Sequence, residues 1–164
     1  EPTEALLLGG HTATLDEGRV TQFGETSEVY RKPWDLRSAR VFSDPPINTA
    51  PVAKQGAEFV LNDAVRWPVG ERFAGLPEGH YTVGIRPHHL SPTPQSERAI
   101  AIEGRVQVTE ISGSESIVHF SVEKGAWVSQ AHGIHAFRVG ETARLFIDVS
   151  QCLYFDQDEK RITL

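Results

Sequence analysis

Beyond about Val52 no stretch of this chain holds a helical period for long. Apolar residues come instead in short runs, at 58–61, 81–85, 99–108, 116–122, 127–128 and 143–148, cut by glycine, proline, asparagine or aspartate. Within 116–122, Ile117, His119 and Ser121 alternate with Val118, Phe120 and Val122. Successive side chains of a strand point to opposite faces, so this pattern predicts a half-buried strand with one face in the core. Many short strands at roughly even spacing predict a barrel or sandwich, and the fold class is mainly β.

The first 46 residues read differently. Thr12 to Leu15 and Arg19 to Phe23 flank Asp16-Glu17-Gly18 and predict a hairpin, with Gly18 supplying a positive φ. Residues 25–32 place hydroxyls and acids first and Arg31-Lys32 last, which suits a helix dipole, and Pro33 stops the helix. A second short helix is expected from Trp34 to Phe42, with Trp34, Leu36, Ala39, Val41 and Phe42 clustering on one side and Asp44-Pro45-Pro46 ending it. The turn formers between Ile47 and Val52 predict a boundary, giving an N-terminal α/β piece over 1–46 and a β domain over 47–164. Ser91-Pro92-Thr93-Pro94-Gln95-Ser96 reads as a mobile loop.

Composition narrows the function. The 164 residues carry 16 Lys and Arg against 22 Asp and Glu, a formal net charge of -6, and the basic residues are scattered. Nucleic-acid affinity rests on clustered cations, so nucleic acid is not an expected partner. A single cysteine, Cys152, excludes an internal disulfide and fits a reducing cytoplasm. No apolar run approaches the ~20 residues that span a bilayer, and a soluble chain is expected. The chain lacks methionine and opens at Glu1 inside the amphipathic Glu4-Ala5-Leu6-Leu7-Leu8, which reads as a cut.

Little in the sequence carries chemistry. There is no GxxxxGK[ST] loop to cradle phosphates and no serine in a GxSxG elbow, so this stretch is not expected to be an enzyme by itself. His88-His89 and His132-Gly133-Ile134-His135 are the places where histidines crowd, yet adjacent histidines on an extended chain point to opposite faces and no third ligand is apparent. Loop or surface histidines are expected. Cys152, in an apolar run ending Tyr154-Phe155, reads as a buried structural thiol. Gly113-Ser114 and Lys124-Gly125 could hold a small oxyanion through backbone amides, although both read as hairpin turns. Trp127 with Lys124 and Arg138 is the nearest arrangement to a base-stacking surface.

Several strings, in order, resemble the ATP-binding subunits of maltose-type carbohydrate ABC importers, from just after the ATPase switch histidine to the C-terminus. Glu4-Ala5-Leu6, Leu15-Asp16-Glu17-Gly18-Arg19-Val20 and Gln22-Phe23-Gly24 are similar to the end of that family's nucleotide-binding domain. Glu28-Val29-Tyr30-Arg31-Lys32-Pro33 is similar to its following helix, and Asp44-Pro45-Pro46-Ile47-Asn48 to its linker. Val83-Gly84-Ile85-Arg86-Pro87-His88-His89-Leu90 resembles "GIRPEHL", and Ile111-Ser112-Gly113-Ser114-Glu115-Ser116-Ile117-Val118-His119 resembles "LGSETLVH". Gly140-Glu141-Thr142 through Asp148 and Phe155-Asp156 resemble the closing strands.

The resemblance implies an OB-fold (MOP-like) β-barrel, the TOBE regulatory domain, behind a short α/β remnant of the ATPase. It also implies packing against a twin subunit, contact with membrane permease subunits through the ATPase domain, and a cytoplasmic location at the inner face of the membrane. ATP and Mg would be cofactors of the full-length protein. Walker and signature motifs would lie upstream of Glu1, so no catalytic, cofactor-binding or metal residue is assigned. Two departures stand out: Gly9-Gly10-His11 replaces the family's "ADR", and His88 replaces its glutamate.

Overall fold

The computed structural model describes residues 1–164. Its N-terminal part is a short helix, α1 (Pro2–Leu8), then the antiparallel pair β1 (His11–Asp16) and β2 (Arg19–Glu25), then two helices of barely two turns, α2 (Thr26–Arg31) and α3 (Leu36–Val41). Glu17 and Gly18, with φ of 48° and 75°, make the tight turn between β1 and β2, as a right-handed twist in the flanking strands favours. Trp34 stays 60 % exposed; Leu36, Ala39 and Phe42 supply the buried side of α3, with Ser38 between them. The Asp35 side chain caps α3 by accepting from the Ser38 amide at 2.8 Å. Helix α2 has no such cap from its N-cap residue Glu25, and the Thr26 hydroxyl donates to the Gly9 and Gly10 carbonyls, fastening the preceding corner.

Two five-stranded sheets follow. One runs β12-β6-β3-β4-β5, with β3 (Asn48–Gln55), β4 (Glu58–Val60), β5 (Arg66–Pro68), β6 (Gly79–Ile85) and β12 (Leu153–Phe155). The other runs β10-β9-β8-β11-β7, with β7 (Leu90–Ser91), β8 (Ala99–Ser112), β9 (Glu115–Val122), β10 (Gly125–His132) and β11 (Thr142–Asp148). The segment expected to be a turn-rich boundary, 47–52, is therefore largely strand: β3 pairs β6 from Asn48 onward. Pro51 is tolerated because β4 pairs only from Ala53, leaving the far side of Pro51 open where the missing amide proton would point.

The sheets curl over one core of twenty buried residues into a nearly closed barrel of the OB-like kind expected. Val118, Phe120 and Val122 do face inward. Trp67, Trp127, Phe59 and Phe120 fill the centre, and the Trp67 indole donates to the Tyr154 hydroxyl at 2.7 Å. One seam is closed by a side chain: Asn48 accepts from the Val128 amide at 2.7 Å and donates to the Val128 carbonyl at 2.8 Å, imitating a strand partner. No helix is long and apolar enough to cross a membrane.

Candidate functional site at the seam of helices and barrel

Arg86 follows the last residue of β6 and precedes Pro87, which begins a single 3-10 turn through His89. That placement sends its side chain back under the helical piece, where only 4 % of the residue is exposed. The guanidinium donates to the Tyr30 carbonyl at 2.6 Å and to the Phe42 carbonyl at 2.8 Å. Tyr30 lies in the last turn of α2 and Phe42 is the C-cap of α3, so one cation meets the negative ends of two helices. Its centre also lies 3.8 Å from the Tyr30 ring centroid. None of the chain's ion pairs includes Arg86.

Electrostatics follow from that burial. Burial pulls the Arg86 pKa down, partly opposed by Tyr30, and burial raises that of Tyr30 against the pull of Arg86. The Tyr30 ring stacks on His88 with centroids 6.4 Å apart, and His88 sits 4.0 Å from His89. The two histidines are not splayed to opposite faces, as an extended chain would place them, because the 3-10 turn brings their rings side by side. Burial, then the neighbouring His88, lowers His89 to about 4, and its Nδ1 is buried without a partner.

Beside this contact opens a polar cleft of about 720 Å³, lined by Asp44, His88, Glu115, Gln130, His132 and His135 among others. Both histidine groups read from the sequence thus border one space. His132 Nδ1 is 3.8 Å from Glu115 Oε1, whereas His135 Nε2 is committed to the His132 carbonyl at 2.9 Å. No group of three His, Cys, Asp or Glu side chains is placed to hold a metal ion. The loop over 91–96 is fastened along the same edge, Gln95 donating to the His88 carbonyl and Ser96 to Asp148.

The other sequence candidates fall elsewhere. Cys152 is buried and its thiol is pushed up mainly by that burial, which leaves it a poor nucleophile. Gly113-Ser114 is the turn between β8 and β9, and Lys124 sits in the turn that leads to Gly125 at the start of β10. Trp127 is 2 % exposed and donates to the Thr49 carbonyl at 3.2 Å, so it offers no face for stacking a base. Arg86 was legible only as part of a string. Its burial could not be read, because Arg in a Gly-Ile-Arg-Pro run looks like a strand end at the surface.

The TOBE domain family model matches residues 83–155, from within β6 through β12. The chain is 28 % identical over 98 % of its length to the sulfoquinovosyl glycerol transport ATP-binding protein of Agrobacterium fabrum, covering 46 % of that protein. It is 32 % identical to an sn-glycerol-3-phosphate import ATP-binding protein of the same organism, over 97 % of this chain and 44 % of the relative. With the maltose/maltodextrin import ATP-binding protein of Salmonella typhimurium it shares 28 % identity, over 96 % and 44 %. The chain thus spans about half the length of the relatives it matches. It carries a match to the TOBE domain over 83–155, in keeping with its near-closed barrel, and is similar along nearly its whole length to ATP-binding subunits of ABC importers.

Proposed function

We propose that this chain is the regulatory and dimerisation region of an ABC-importer ATP-binding subunit for a sugar or related solute, with residues 1–46 completing the nucleotide-binding domain and 47–164 forming the regulatory barrel. The observation that carries this reading is the β1–β2 hairpin, which is inside out. Thr14 and Gln22 are buried against the helices, while Leu15, Val20 and Phe23 are 57 %, 60 % and 61 % exposed. Gln22 earns its place inside by hydrogen bonds, donating to the Lys32 carbonyl and accepting from the Trp34 amide. Leu7 and Leu8 of α1 are exposed as well. Apolar residues turned outward on a two-stranded sheet ask for a cover, and the rest of a nucleotide-binding domain supplies one.

On this reading ATP and magnesium bind upstream residues, the assembled subunit rests on membrane permease partners at the cytoplasmic face, and the barrel contributes to pairing of two subunits. The names of the relatives, which concern sulfoquinovosyl glycerol, sn-glycerol-3-phosphate and maltodextrin, support a glycosyl or polyol solute. The test is the longer polypeptide carrying this chain, purified and supplied with magnesium and ATP. It should hydrolyse ATP and scatter light as a dimer; a polypeptide that stays monomeric and inert toward ATP would overturn the proposal.

A further inference from the structure

We propose that Arg86 is a latch: the side chain through which the barrel caps the C-terminal carbonyls of α2 and α3, and whose release frays those last turns while the start of α3 stays pinned. By hydrogen bonds the helical piece is attached to the barrel at two places, with the Tyr30–His88 ring stack beside the first. The first is the Arg86 contact with the Tyr30 and Phe42 carbonyls. The second lies at the other end of α3, where the C-terminal residues return: the Leu36 amide donates to the Glu159 carbonyl at 2.9 Å, the Arg161 amide to Trp34 at 3.0 Å, and Arg161 Nε to Pro33 at 2.7 Å. Leu36 and, further along α3, Ala39 also pack on Ile47 and Phe155 in a small cluster of their own.

These attachments differ in kind. The tail contact combines apolar packing with backbone pairing, and nothing in it depends on a single group. The Arg86 contact does depend on one group. A buried guanidinium without a carboxylate is held only by two main-chain carbonyls at helix ends and one aromatic ring, so each bond lost exposes an expensive desolvated cation. Both helices are six residues long, too short to persist when their carbonyl ends lose a partner. The geometry therefore pins the chain at 33–36 and again through Ala39, and leaves the carbonyl ends at 30 and 42 to Arg86.

Should residues 1–46 complete a nucleotide-binding domain as proposed above, the latch is where motion of that domain enters the barrel. The latch itself stands on the contacts alone and is tested in this chain without nucleotide. Amide hydrogen exchange is followed for the wild type, Arg86→Lys, which keeps the charge but not the two-pronged reach, and Arg86→Gln. The expected result is exchange faster by roughly tenfold or more at the Lys32 and Phe42 amides, which close the last turns of α2 and α3, as loss of a charged hydrogen bond implies. The Leu36 and Arg161 amides and those of β8 and β9 should keep their protection. Unchanged rates at Lys32 and Phe42 in both variants would overturn the latch, and so would a loss of protection spread evenly over the pinned segment and the barrel, which would make Arg86 a general core residue.

Discussion

A Cβ placed on Gly104 would stand 2.2 Å from the Ser121 carbonyl oxygen and 2.5 Å from the Phe120 ring. Neither neighbour can move aside, since one is backbone of the adjoining strand and the other is wholly buried in the core. Gly104→Ala should cost about 1–3 kcal/mol of stability through overpacking. Urea unfolding reads this directly, and a change below about 0.5 kcal/mol would contradict so tight a packing of β8 on β9. His89 is a second residue whose surroundings set a measurable quantity. Burial and His88, with a smaller push from Arg86, depress its pKa from 6.5 to about 4, while Asp148 acts in the opposite sense. The unfolded chain therefore takes up this proton first as pH falls. Its contribution to stability is complete above about 6.5 and is lost progressively toward about 4. His89→Gln should flatten the pH dependence of the unfolding midpoint between those values; an unaltered slope would mean that His89 does not titrate as its surroundings imply.

At the scale of elements, legibility tracked how local the determining physics was. The β1–β2 hairpin was readable because its turn needs positive φ and Gly18 is present, and β9 because its alternation is strict. Strand β3 was not, since Asn48 and Pro51 look like breakers: one turns out to imitate a backbone partner for Val128, and the other occupies a stretch paired on one side only. Strands β5 and β7, three and two residues long, carry no period at all. The seam escaped for a different reason. Arg86, Tyr30 and Phe42 are far apart in the chain, and their convergence depends on the residue after β6 reaching the C-terminal ends of α2 and α3, which no local pattern records. What the strings of residues did convey was family, and through it the barrel.

For the whole molecule, the barrel accounts for its own stability, with a core of twenty residues and an aromatic stack of Phe59 on Tyr154 at 4.1 Å. The N-terminal piece does not close on itself in the same way, because the apolar side of its hairpin is turned to solvent. The central claim is that this face seats the rest of a nucleotide-binding domain. The measurement that tests it most directly is calorimetric titration of this chain with a separately produced upstream half of the same polypeptide, comparing the wild type with a double variant, Val20→Asp with Phe23→Asp. Both side chains are already in solvent, so the double variant should fold as the wild type does. The account predicts saturable binding by the wild type and at least about a hundredfold weaker binding by the variant, the order expected when two apolar contacts are replaced by buried charges. No binding by the wild type, or equal binding by both, would contradict it.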